Sequence, residues 1–451
     1  MDAVLYRVDA RLASFQRVLC DLIRIPSVSA DPARREDVQR SAAAFADVLR
    51  EAGMEHVDVL GVEGAHPVVV GDWLHHENAP TLLIYGHHDV QPPGRAGEWL
   101  SPPFEPVERD GRLYGRGSAD DKGGILAQIA AAACLLEVTG SLPCNVRFLI
   151  EGEEEIGSVN LGRYLDAYRD RAQEDYIVLC DTPNFATGIP ALTYRLRGNS
   201  IVDVEVRCLE RPLHSGRGSG AVPDALQVLC GLLASLRDVP GLEDDIAPVD
   251  EQERAAVRAL PMDRATFARA MGVLPGVELV CDGSPLEATW LRPSITVTAI
   301  DATPVAQASN QLSASARARI SIRTVPNLDT RKTGELVART LRERAPRHAI
   351  VETTVRGGPA WWKGDRSSPA IQAGLRALTR GYGRDAVLIG SGGSIGFVKP
   401  MSDALPHAPC LLLGVEDPQC NAHSENESLH LGDFRSSIRS AVLLHDEVAR
   451  L

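Results

Sequence analysis

The run Leu82-Leu83-Ile84-Tyr85-Gly86-His87-His88-Asp89-Val90 limits what this chain can fold into more than any other stretch. Its apolar, strand-forming residues read as a buried strand that ends on Gly86 and then delivers a His and, two residues on, an Asp. Side chains alternate along an extended chain, so His87 and Asp89 point the same way and His88 points away. A carboxylate beside an imidazole, at the carboxyl end of a buried strand, holds a metal-binding His in one tautomer. A His that merely ends a strand explains these residues about as well, so the decision rests on the rest of the chain.

Four more clusters follow. The segment 111–124, Gly-Arg-Leu-Tyr-Gly-Arg-Gly-Ser-Ala-Asp-Asp-Lys-Gly-Gly, leads into a small-residue helix over 125–137. Its glycines let backbone pass close to a neighbour, and Asp120 and Asp121 stand just before the helix, where carboxylates are also favourable helix-start charges. A strand over 145–150 delivers Glu151-Gly152-Glu153-Glu154-Glu155, four acids within five residues. They repel one another unless a cation or solvent relieves them. A third strand, 176–180, ends in Asp181, and near the end of the chain comes Asn421-Ala422-His423-Ser424-Glu425-Asn426-Glu427.

The alternation of strands with helices up to residue 196 indicates an α/β layer with a mostly parallel sheet flanked by helices. After Arg197 the texture changes. Alternating strands over 200–206, 294–300, 316–324 and 350–355, with helices over 223–236 and 330–344, give the order βαββαβ, interrupted by a long acidic insertion over 238–293. That order predicts a small α+β unit of ferredoxin-like type with an antiparallel sheet. The α/β texture then returns, with Gly390-Ser391-Gly392-Gly393-Ser394 as a glycine-rich turn and a last helix over 431–450. The expected division is a first domain over 1–196 and 359–451, with a second domain, 197–358, inserted into it.

Composition narrows the class. A formal charge of −13 over 451 residues, with no basic block, argues against a nucleic-acid partner. Nine cysteines, an odd number with no CxxC pair, read as reduced packing residues of a cytoplasmic protein. The amino-terminal stretch has no signal-type apolar core, and no membrane partner is expected.

His87, Asp120, Glu154, Glu155, Asp181 and His423 make two imidazoles and four carboxylates without a thiol. Such a donor set suits a pair of Zn²⁺, Mn²⁺ or Co²⁺ ions better than Mg²⁺ or Ca²⁺. Two such ions, bridged by a carboxylate and a water, polarise a carbonyl and lower that water's pKa together. One carboxylate must stay unligated to move the water's proton to a leaving amine, and adjacent glutamates can divide the work of ligand and base.

In order along the chain, GHxDVxP, GRGxxDxKGG, EGxEExGS, Asp181, HSG and AHSxNE resemble the M20 family of co-catalytic metallopeptidases, and the resemblance spans nearly the whole chain. It implies two divalent ions, His87 and Asp181 on the first, Glu155 and His423 on the second, and Asp120 bridging. Asp89 would orient His87, and Glu154 would be the general base, with Glu153-Glu154 as the alternative register. It further implies a lid or dimerisation role for 197–358, a homodimer, and contact of His214, in His214-Ser215-Gly216, with the substrate or oxyanion of the partner's site. Arg323 would grip a substrate carboxylate, with Gly393 and Ser394 lining that end. The long insertion, the ADDKGG spelling and SIRTVPN look like the carnosinase-like, cytosolic non-specific dipeptidases. The family's deacylases more often carry Met where this chain has Asp121. The expected activity is hydrolysis of short peptides. The alternatives are an N-acyl or N-carbamoyl amino acid amidohydrolase and a non-catalytic peptide-binding protein.

Overall fold

A computed structural model describes residues 1–168 and 174–451. The chain divides into two compact units, Met1–Tyr194 with Gly364–Ile389 and Pro400–Leu451, and Arg195–Lys363 with Gly390–Lys399.

In the first unit the strands lie in the order Glu55–Leu60, Val68–Trp73, Asn145–Glu151, Thr81–His87, Tyr176–Leu179, Cys410–Leu412, Ala191–Leu196. The four central strands, from Asn145–Glu151 to Cys410–Leu412, are parallel. The flanking strands on both sides run antiparallel, so the sheet is mixed with a parallel centre. The strand Ala191–Leu196 is an addition to the sequence expectation. Register matters more for function than strand count. His87 pairs with Glu151 and Tyr85 with Leu179, so His87 and Asp181 leave the sheet at the same level.

The helix Lys122–Thr139 is apolar all round and is buried from Lys122 to Leu135, as a helix enclosed within a core must be. It packs on the sheet and against the helices Asp2–Ile23 and Leu431–Val448. By length and composition it could cross a membrane, yet 78% of it is buried inside the protein, as the core helix of a globular unit is. Its first residue, Lys122, donates from Nζ to the carbonyls of Leu22 and Ile25, both at 2.8 Å, closing the end of the first helix. Gly140, at φ +71°, ends it by donating to the Leu136 carbonyl at 2.9 Å. A small antiparallel sheet of Val107–Arg109, Arg112–Tyr114 and Ser428–His430 joins the approach to the Asp120 loop to the segment that follows His423.

The second unit holds an antiparallel sheet in the order Ser294–Asp301, Ser315–Thr324, Gly198–Arg207, Ile350–Gly357. With strands taken in chain order this is 2-3-1-4, the ferredoxin-like arrangement. The inward residues Val202, Val204, Val206, Ala316, Ala318, Ile320 and Ile322 form one core with the helices Ala225–Ser235 and Thr330–Glu343. The insertion folds into three short helices, Glu251–Arg258, Arg264–Ala270 and Pro285–Trp290. Buried Glu253 anchors the first of them by accepting from Arg195 Nη1 and Lys363 Nζ, each at 2.7 Å.

The helices Pro369–Tyr382 and Leu431–Val448 meet so closely at Gly381 that a Cβ there would overlap the backbone nitrogen and Oγ of Ser440. Backbone cannot yield as a flexible side chain can. Gly381→Ala is expected to lower stability by about 1–3 kcal/mol, read as a lower denaturant midpoint; an unchanged midpoint would contradict this packing.

Candidate active site

In the first unit, three strand ends and two loops converge on Asp120. Its Oδ1 lies 3.0 Å from His87 Nε2 and its Oδ2 lies 2.9 Å from His423 Nε2. His87 Nε2 is also 4.0 Å from Asp181 Oδ2, and His423 Nε2 is 3.3 Å from Glu155 Oε2. Two groups result, His87–Asp120–Asp181 and Asp120–Glu155–His423, each with its donor atoms within 4.8 Å of one another and Asp120 common to both.

Asp89 holds this arrangement differently from the sequence expectation. His87 Nδ1 is 3.1 Å from the backbone carbonyl of Asp89 and 3.5 Å from its carboxylate. The other carboxylate oxygen accepts the Glu155 N–H at 3.2 Å, so Asp89 ties the His87 strand to the glutamate turn. His88 points away as expected, its Nε2 3.0 Å from the Pro67 carbonyl. The peptide between Asp120 and Asp121 is cis, and buried Asp121 accepts the His87 N–H at 3.3 Å.

The glutamates separate by their partners. Glu153 is buried and accepts from the backbone N–H of His66 at 2.8 Å and from the backbone and side chain of Asn160, so its carboxylate is committed to the turn. Glu155 faces His423 and accepts from the Gln91 backbone at 3.1 Å and the Gln91 amide at 2.8 Å. Glu154 lies between them, and burial lifts its carboxyl to about 8 against the pull of His87.

The other groups titrate as their crowding dictates. Burial, then the charge of Asp120, pushes Asp181 well above the usual carboxylate range and raises Glu155 in the same way. For Asp120 burial also acts upward, but its contacts with His423 and His87 outweigh it and the carboxyl stays low. His423 is raised to about 11 by Asp120 and then Glu155. Burial opposes a charged His87, yet Asp120 and Asp89 hold it well above its ordinary value.

The residues fit a pair of divalent cations. Nε2 of His87 is buried without a well-aligned hydrogen bond, and the groups around it are hard oxygen and imidazole donors without a thiol. Carboxylates this close repel one another unless positive charge sits among them.

Three supporting residues carry no role in the sequence expectation. Gln91 grips Glu155, while Glu427 and Arg116 form a buried pair at 2.7 Å beneath the Asp120 loop. Glu427 lies inside the AHSxNE run, so its position was visible and its partners were not.

The remaining expected residues belong to the second unit. His214 is exposed, and its Nδ1 accepts the Gly216 N–H at 3.1 Å. Half-buried Arg323 donates from Nη1 to Ser394 Oγ at 2.9 Å, and burial lowers its pKa. The Gly393 carbonyl accepts the Arg197 N–H at 3.1 Å. Buried Arg197 donates from its side chain to the Gly392 and Arg292 carbonyls and to Ser294 Oγ, bracing the turn that presents Ser394.

A centre of imidazoles and carboxylates that meet at one aspartate is a donor set suited to a co-catalytic metal hydrolase. The chain matches peptidase family M20/M25/M40 over residues 83–446 and belongs to that family. It is 34% identical to the cysteinylglycine-S-conjugate dipeptidase of Corynebacterium striatum over 420 residues, covering 91% of this chain and 90% of that protein. The crystal structure of human carnosine dipeptidase 1 superposes with a TM-score of 0.86 at 28% identity, covering 100% of this chain and 99% of that one. The dipeptidase Dug1p of Saccharomyces cerevisiae gives a TM-score of 0.85 at 26% identity, with coverage of 100% and 98%.

A cation taken up here would displace the proton of His423, which Asp120 and then Glu155 hold up to about 11. Loading Zn²⁺ at neutral pH should release on the order of one or more protons per chain, and affinity should fall as pH falls. Calorimetry in buffers of different ionisation enthalpy reads this directly; binding without proton release would contradict His423 as a ligand.

Proposed function

We propose that the protein is a dipeptidase that hydrolyses short peptides with a free terminal carboxylate. The single observation that carries this reading is Asp120 standing between two donor groups with Glu154 beside them. Relatives named as dipeptidases over nearly the full chain support the substrate class.

Bound here, two Zn²⁺ ions, or Mn²⁺ or Co²⁺, would supply Lewis acidity to the scissile carbonyl and to water. His87, Asp181 and Asp120 would hold one ion, and Glu155, His423 and Asp120 would hold the other. Asp89 and Gln91 keep His87 and Glu155 in place. Glu154, free of ligand duty, takes a proton from the attacking water and returns it to the leaving amine. The commitment of Glu153 to His66 and Asn160 supports this register over Glu153-Glu154. Arg323, with Ser394 and Gly393, receives the terminal carboxylate, for which a planar guanidinium is suited.

We read the second unit as the dimerisation element, with His214 offered to the partner's substrate. Its edge strand Ser294–Asp301, which leaves Val297 and Ile300 exposed, supports pairing between copies. Nine free cysteines support a reducing, cytoplasmic setting.

A substrate panel tests the reading. Free dipeptides should be cleaved, while amidated dipeptides and N-acetyl or N-carbamoyl amino acids should be poor substrates. Glu154→Gln should lower kcat by at least about 10²-fold with metal content unchanged. Preferential turnover of the N-acyl compounds would assign a deacylase instead. No turnover of any compound by the metal-loaded protein would favour a peptide-binding role.

A further inference from the structure

Beneath the candidate metal centre lies a buried ion pair with no place among the ligands, the base or the substrate contacts. Glu427 is fully buried, and both of its carboxylate oxygens are fully engaged. Oε1 accepts the backbone N–H of Ala119 at 3.0 Å and of Asp120 at 3.1 Å. Oε2 accepts the Gly117 N–H at 2.9 Å and Arg116 Nη1 at 2.7 Å. A carboxylate has about four acceptor sites, and here each is matched by a donor from the five-residue loop that ends in Asp120. The Glu427 carbonyl also accepts the Gly115 N–H at 2.9 Å.

Arg116 carries the connection onward. It is 1% exposed, and its Nη2 donates to the Pro92 carbonyl at 3.2 Å and to the Ser424 carbonyl at 3.0 Å. Pro92 is in the segment that follows His87 and Asp89, and Ser424 is the neighbour of His423. One pair therefore joins three backbone segments, those of His87, Asp120 and His423. The joined backbone has little room to adjust. Gly117 has φ +83°, and a Cβ there would overlap Val90 Cγ1. His423 itself sits at φ +63°, in the left-handed region that non-glycine residues adopt infrequently.

A buried ion pair is weak evidence for stability, because its desolvation offsets much of its attraction. What this pair does supply is geometry. Asp120 is common to both donor groups, and its own N–H is held by Glu427, so a shift of that loop would disturb both groups together. We propose that Glu427, acting with Arg116, is a positioning residue that sets where Asp120 stands between His87 and His423, and so governs the affinity of both cation positions at once. The inference rests on the two-cation reading above.

The test compares cation affinity in three variants with the wild type, by competition with a chromophoric chelator, using Zn²⁺ and then Co²⁺, whose absorption spectrum reports coordination. Circular dichroism confirms the fold. Glu427→Gln keeps the shape but replaces one acceptor oxygen with an amide that donates, leaving two N–H donors of the loop unmatched. It should weaken both ions by about 10–100-fold and alter the Co²⁺ spectrum. Arg116→Lys keeps the charge but loses the fork that spans Pro92 and Ser424, and should weaken both ions less severely. His423→Ala, as the control, should weaken one ion only. If Glu427→Gln does not fold, Arg116→Lys decides by the same criterion. Wild-type affinity for both ions in a folded Glu427 or Arg116 variant, or a loss confined to one ion, overturns the inference alone. A wild type that binds fewer than two ions overturns the two-cation reading, and the inference with it.

Discussion

Mutual repulsion among the acids gathered beyond the parallel strands is the constraint on which the first unit depends. Asp89, Asp120, Asp121, Glu154, Glu155 and Asp181 are brought together around the imidazoles of His87 and His423. The sheet makes this unavoidable, because register delivers His87 and Asp181 at the same level and the next parallel strand leads into the glutamate turn. The protein answers with donors. Backbone N–H groups of Glu155, Gln91 and His87 point at Asp89, Glu155 and Asp121, and Glu427 organises the loop from which Asp120 projects. These contacts fix the acids in place but leave Asp181, Glu154 and Glu155 with raised pKa values. The positive charge that remains to be supplied is what a pair of divalent ions carries.

The fold was legible in the sequence wherever pattern follows burial. The buried strand ending in His87 and the alternating strands of the second unit have opposite textures, and these correspond to a parallel sheet centre and an antiparallel sheet. The mixed edges were not legible, because Glu55–Leu60 and Ala191–Leu196 take their direction from tertiary pairing and not from their own residues. Nor was the burial of the helix Lys122–Thr139 distinguishable by composition from a membrane span.

At the candidate site, chemistry-bearing side chains could be read from residue type and spacing, since His87, Asp120, Glu155, Asp181 and His423 all follow strand ends or lie in polar loops between apolar runs. Their supports could not. Glu427 recognises backbone N–H groups more than 300 positions away, and backbone donors leave no trace in a sequence. The same holds for Asp89, where the contact nearest His87 comes from a carbonyl, and for Arg197, whose partners in the second unit include two carbonyls. Glu153 shows the converse. Spacing alone allowed it as a partner of Glu154, and spacing did not show its hydrogen bonds to His66 and Asn160.

The central claim is that the strand-end carboxylates and imidazoles hold two cations that share Asp120. Its most direct measurement is the metal content and anomalous scattering of the protein crystallised after loading with Mn²⁺ or Zn²⁺. Two peaks per chain are expected, one against His87 and Asp181, the other against Glu155 and His423, with Asp120 touching both. A single peak, or two that do not share Asp120, would contradict it.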